Sequence, residues 1–193
     1  MIYEIKELSP ELTRDYLDFF DNRAFSDGNP NGPCYCTSPT MDRETEEKMV
    51  SEFGDDVKGT LRRYAMEMLN NGMIHGYLAF DRDIPIGWCN AADMDSFKAF
   101  VPDFARDNQC GKTFSVVCFE VAPGYRGKGL ATEFLKHICT EAKAQGYVAV
   151  EGYARLSIDP EYLDFNGSIG LYERAGFTEV KRNEEQVIMR KRL

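Results

Sequence analysis

The first residues, Met1-Ile2-Tyr3-Glu4-Ile5-Lys6, alternate apolar and polar side chains and predict a strand. Ser9-Pro10-Glu11 then reads as a serine cap with proline at the first helical position, and Leu12, Tyr16, Leu17, Phe19 and Phe20 fall on about one face of the helix that follows. That helix should end before Ser26-Asp27-Gly28-Asn29-Pro30-Asn31-Gly32-Pro33, a stretch dense in turn-formers. Charged helical sequence resumes near Asp42, is interrupted near Gly54 and Gly59, and continues through Leu61, Tyr64, Ala65, Met68 and Leu69 to a stop at Gly72. Strands from His75 to Phe80 and from Ile84 to Asn90 flank Asp81-Arg82-Asp83 as a hairpin, and an insert from Ala92 to Gly111 separates them from the next strand.

Thr113 to Val121 is an unbroken strand pattern, stopped at Pro123-Gly124 and followed by a helix from Gly129 to Gln145 that buries Leu130, Phe134, Leu135 and Ile138, with His137 to one side. A strand from Tyr147 to Ala154, a long connection, a short helix from Ser168 to Arg174 with Gly176 as its cap, and a last pair of strands complete the chain. Strands alternating with helices in the second half, after antiparallel strands and helices in the first, give an α/β or α+β class, with no internal repeat.

Composition narrows the function classes. A chain of 193 residues is the size of one domain, taken here as 1–193. No apolar run approaches the roughly 20 residues that span a bilayer, and the amino terminus lacks a signal-peptide pattern, so the expected location is the cytoplasm, with no membrane partner. Six scattered cysteines read as free thiols, and Cys34-Tyr35-Cys36 with two distant histidines makes no metal site. The net charge of -9 opposes binding to nucleic acid, and suits a cationic acceptor as well as plain solubility.

The chemistry concentrates in Val121-Ala122-Pro123-Gly124-Tyr125-Arg126-Gly127-Lys128-Gly129-Leu130-Ala131, between strand and helix. Glycines where a helix begins leave backbone N–H groups free to face an anion, and the helix dipole favours negative charge there. Arg126 and Lys128 add charged donors, so a phosphate or pyrophosphate is the expected ligand. Ala122 and Gly129 stand where a Walker loop needs glycine and Ser or Thr, and Thr132 where a dinucleotide fingerprint needs its third glycine.

The remaining pattern, R-x-x-G-x-A after a strand and a proline turn, resembles the acetyl-CoA pyrophosphate loop of the GNAT N-acetyltransferases. Leu171-Tyr172-Glu173-Arg174-Ala175-Gly176-Phe177 resembles the closing helix and G-F turn of the same family. The resemblance implies a central mixed sheet of six or seven strands flanked by helices, with acetyl-CoA entering between the strands at 117–121 and 148–153. Phe119 and Val121, with Glu120 between them, would run along the pantetheine arm; Arg126, Gly127, Lys128, Gly129, Leu130, Ala131 and Thr132 would form the pyrophosphate loop. Tyr172 would protonate the departing thiolate, and Asn166, one place out of register with the family's asparagine, would contact CoA.

An ammonium acceptor must lose a proton before it attacks, and two strand carboxylates in apolar runs, Glu120 and Glu151, are candidate bases because burial raises a carboxyl pKa. The alternative for Glu151 is a structural pairing with Arg155 or a backbone group. The resemblance implies direct transfer to a small-molecule or peptide amine without a covalent enzyme intermediate, so the cysteines, Cys118 on the cofactor strand included, are not nucleophiles. The acceptor site would draw on 31–37, on 87–92, and on the connection 157–165, whereas Trp88 reads as a packing residue. A non-catalytic acyl-CoA sensor and an antibiotic-acetylating resistance enzyme are the rival readings. Dimers are common in the family, which makes a homodimer one possible assembly.

Overall fold

The computed structural model describes residues 3–30, 32–97, 100–107, 110–156 and 165–193. β1 is Glu4–Glu7. Ser9 does not cap the first helix: its hydroxyl donates to Glu11, and Pro10–Leu12 forms a tight 3-10 turn before α1, Thr13–Asn22. α1 buries Tyr16, Leu17, Phe19 and Phe20, the face the spacing predicted. The carboxylates of Asp42 and Asp56 accept the N–H groups of Thr45 and Gly59, each at 2.8 Å, and so start α2 (Arg43–Ser51) and α3 (Val57–Asn70). Gly59 therefore lies inside the first turn of α3 instead of interrupting it.

β2 (Gly76–Asp81) and β3 (Ile84–Asp93) form the expected hairpin, with β3 running on through Ala91 and Ala92, so the insert begins later than predicted, at Met94. That insert holds a 3-10 turn, Met94–Phe97, and the short α4, Asp103–Arg106, tied together by Arg106 donating to the carbonyls of Phe97 (2.9 Å) and Met94 (3.3 Å). The remaining elements are β4 (Thr113–Val121), α5 (Leu130–Ala144), β5 (Ala149–Arg155), α6 (Ile169–Arg174), β6 (Thr178–Arg182) and β7 (Gln186–Arg192).

Among the described residues the strands make one seven-stranded sheet in the order β1-β2-β3-β4-β5-β7-β6. β4 and β5 pair in parallel, and every other pairing is antiparallel. This is the mixed α/β architecture expected, with an apolar cluster on each face. One cluster packs Tyr16, Phe19, Tyr35, Met68, Trp88, Val117 and Cys118 under α1 to α3. The other packs Phe114, Val116, Phe119, Leu130, Phe134, Ile138, Tyr172 and Phe177 under α5 and α6. Trp88 is fully buried, with its ring edge-on to Tyr16 at 4.9 Å, and His137 sits half-buried against the edge of the Tyr77 ring. Each such aromatic contributes on the order of 1.5–3 kcal/mol by leaving water.

Two irregularities in the middle of the sheet position the site. The register between β3 and β4 shifts between Asn90 and Ala91, where Val117 is the extra residue of a β-bulge. The parallel pairing of β4 with β5 stops at Val116 and Gly152, so the carboxyl-terminal half of β4 runs without a β5 partner. Residues 165–166 serve that edge instead: the Phe119 N–H donates to the Phe165 carbonyl at 2.7 Å, and Asn166 Nδ2 donates to the Val117 carbonyl at 3.2 Å.

Gly152 is needed where the strands part, because a Cβ there would lie 2.2 Å from Cε1 of Tyr172. Gly152→Ala is expected to destabilise the fold by about 1–3 kcal/mol through overpacking, read as a lower urea midpoint at unchanged m-value. An unchanged midpoint would show that the Tyr172 ring yields freely.

Candidate active site

A cleft of about 470 Å³ opens where β4 leaves β5. β4 contributes Phe119, Glu120 and Val121; the following loop contributes Tyr125, Arg126, Gly127 and Gly129; and the first turn of α5 adds Leu130, Ala131 and Thr132. The opposite wall is Phe165, Gly167, Ser168, Leu171 and Arg174. The expected β4 and loop residues thus come together along one cleft, apart from Lys128, which is exposed beside it with its ammonium 5.4 Å from the centre of the Tyr125 ring.

The loop is shaped as an anion cradle. Gly127 and Gly129 have φ of +72° and +87°, backbone that L side chains rarely adopt, and a Cβ at either would meet nothing within 4 Å. Gly129 is the cap of α5 and has no side chain to satisfy the helix's first N–H groups; those of Thr132 and Glu133 turn back to its carbonyl at 3.0 and 3.1 Å. A 15-residue helix therefore presents its positive end to open space at the cleft. Arg126, expected to add a donor to this cradle, spends its side chain elsewhere. Its Nε donates to the Val121 carbonyl at 2.9 Å, Nη2 to the Ala24 carbonyl at 3.1 Å, and Nη1 pairs with Asp27.

The two candidate bases differ sharply in surroundings. Glu120 is 1% exposed, lines the cleft and keeps an ion pair with Arg126 Nη2 at 3.5 Å, while its other carboxylate oxygen has no hydrogen-bond partner among the described residues. Burial pushes its pKa up to about 8 against the opposing pull of Arg126. Glu151 is fully buried, directly opposite Arg190 on β7, and paired with that guanidinium. Burial raises its pKa and Arg190 works against the rise. Its partner is Arg190 and not the Arg155 considered from sequence, and it does not line the cleft.

Tyr172 and Asn166 stand behind the cleft wall. The Tyr172 hydroxyl donates to the Asn166 carbonyl at 2.7 Å, its ring lies 6.2 Å from that of Phe119, and the residue is fully buried. Together they hold the Phe165–Gly167 segment against β4. Of the connection 157–165, expected to help shape an acceptor pocket, Phe165 lines the cleft and 157–164 lie outside the described residues. The residues that sequence reasoning missed are Gly167, Ser168, Leu171 and Arg174 of the opposite wall: Ser168 reads only as the start of a helix, and it caps α6 by accepting the Leu171 N–H, which sets Arg174 at the cleft. On the other face of β4, Cys36 accepts Asn90 Nδ2 at its sulfur (3.3 Å) and lies beside Cys118, whose hydrogen bond to Cys36, together with burial, raises its thiol well above the usual range. A thiol so held is a poor nucleophile.

Among the described residues no group of three or more His, Cys, Asp or Glu is placed to hold a metal ion, and no helix is long and apolar enough to cross a membrane. The family model described as "Acetyltransferase (GNAT) family" matches residues 40–177. No curated protein matches the sequence. Solved structures share the fold: the PaiA N-acetyltransferase of Thermoplasma acidophilum in complex with coenzyme A superposes with a TM-score of 0.52 at 17% identity over all of both chains. YncA of Salmonella typhimurium, solved with its cofactor acetyl-CoA, gives 0.54 at 15% identity over 99% of this chain and 94% of that one. The GNAT domain of PAT from S. lividans gives 0.56 at 12% identity over 99% and 90%.

Proposed function

From the premise that the chain belongs to the GNAT family of acetyltransferases, we propose that it is a single-domain cytoplasmic enzyme transferring the acetyl group of acetyl-CoA to an amine of a small molecule or peptide. The observation that carries this reading is one cleft joining a glycine-shaped helix N-terminus to a buried, proton-avid carboxylate, Glu120. Gly127 to Thr132 would hold the pyrophosphate, with Lys128 and Arg174 as the nearby cations, and Phe119 and Val121 would flank the pantetheine arm. Bound acetyl-CoA supplies an activated acetyl thioester, open to direct attack by the amine.

The chain's own work is on the acceptor proton. An amine arrives as ammonium at neutral pH, and a carboxyl poised near 8 accepts its proton far better than an ordinary carboxylate does. Glu120 takes this role in preference to Glu151, whose charge is committed to Arg190. Tyr172, with its hydroxyl on the Asn166 carbonyl, holds the wall that keeps β4 and β5 apart, and would reach a departing thiolate only by giving up that bond.

The test is release of free CoA thiol from acetyl-CoA with a panel of polyamines, aminoglycosides, amino acids and peptide amino termini. Amine-dependent release with at least one class is expected. Tight acetyl-CoA binding with no turnover on any amine would replace the enzyme with an acyl-CoA sensor.

A further inference from the structure

Arg126 stands at the start of the cofactor loop, and its guanidinium is engaged by four acceptor groups from two stretches of the chain, 120–121 at the end of β4 and 24–27 after α1. It holds the end of β4 through the Val121 carbonyl (2.9 Å) and the end of α1 through the Ala24 carbonyl (3.1 Å). It also pairs with Asp27, three residues further on, and with Glu120 in the cleft (3.5 Å). A guanidinium has donors in a fixed planar fork, so a single side chain can serve several acceptors only if they are held in matching places. Here the acceptors come from segments about a hundred residues away as well as from the adjacent strand.

We propose that Arg126 is a positioning residue and not a phosphate ligand: it sets the proton affinity of Glu120 and anchors the 24–27 segment to the end of the cofactor strand. The proposal deepens the reading of Glu120 as the base and rests on it for its catalytic meaning, while its physical content, the effect of Arg126 on the Glu120 carboxyl, can be measured without turnover. Among the described residues, the other groups facing Glu120 are the thiols of Cys34 and Cys36 from the 32–37 segment and of Cys118 on its own strand, with Trp88 opposite it on β3. Arg126 is the one cation in that set, so the carboxylate depends on it for charge compensation.

The experiment titrates the Glu120 side-chain carboxyl by carbon NMR in wild type, Arg126→Met and Arg126→Lys, and measures acetyl-CoA binding for the same proteins. In Arg126→Met the Glu120 pKa is expected to rise by about one unit or more, a tenfold change in proton affinity, with acetyl-CoA affinity within about threefold of wild type. Arg126→Lys, which keeps the charge and loses the fork, should restore most of the pKa and serves if the methionine variant folds poorly. Asp27→Asn, which removes only the loop tie, should raise the acceptor KM with the pKa little changed. An unmoved Glu120 pKa in both arginine variants, or a tenfold loss of acetyl-CoA affinity, would overturn the proposal. Failure of the base reading shows separately, as a pH-rate profile that survives Glu120→Gln.

Discussion

Gly129→Glu is expected to weaken acetyl-CoA binding by at least about 100-fold, from three effects that act in the same direction. The residue sits at φ +87°, so any side chain there carries backbone strain of about 1–2 kcal/mol. Its Cβ would project into open space in front of α5, where the pyrophosphate is expected. The new carboxylate would itself be drawn to the helix N-terminus and its unsatisfied N–H groups, and would occupy them as a resident anion. Gly129→Ala separates the contributions, since it carries the strain without the charge, and should lose only a small part of the affinity. Calorimetry on both variants decides the matter: near-normal binding by Gly129→Glu would remove the phosphate role from this loop.

Glu120→Gln should lower turnover by about 10²–10⁴ and abolish the acid limb of the pH-rate profile. In the wild type the active carboxylate form accumulates as pH rises through about 8, so the rate should climb through that region and level off above it. Stability should move the other way. A carboxyl whose pKa is higher folded than unfolded retains its proton in the native state, so the wild type loses stability as pH rises from the ordinary value of 4.5 to about 8. Glu120→Gln escapes that loss, and its unfolding midpoint should gain on the wild type across the same window. Glu151→Gln should show the reverse pairing, a protein destabilised by loss of the buried ion pair with Arg190, with its acid limb intact. A limb that persists in Glu120→Gln and disappears in Glu151→Gln would exchange the two assignments.

How much of this was legible depended on the range over which each feature is determined. The glycine loop and the α6 helix with its Gly176-Phe177 turn are local, and both stand where the sequence placed them. The facing of Glu120 is not local. Strict alternation from Phe114 through Val116 would put residue 120 on the α5 face; the bulge at Val117 gives two successive residues, Val117 and Cys118, to the α1 face, returns Phe119 to the α5 side, and turns Glu120 toward α1. Nothing in Val116-Val117-Cys118 marks that bulge. In the same way, only the register of β7 selects Arg190 over Arg155 as the partner of Glu151. The sequence neighbours of Arg126 point to a phosphate donor, whereas its acceptors at Ala24 and Asp27 are brought to it by tertiary packing.

The single parallel pairing in the sheet has a consequence for the order in which the chain folds. β2–β3 and β6–β7 are hairpin neighbours and can zip from their turns, but β4 and β5 can align only after α5 has crossed over between them. Their junction at Val116 and Gly152, and the cleft that begins there, therefore belongs to the late steps of assembly, when the closing α6 segment seats against Phe119. A nascent chain released before its last strands can hold hairpins and helices yet has no place for a nucleotide, so ligand-dependent resistance to proteolysis would count only molecules that have finished folding.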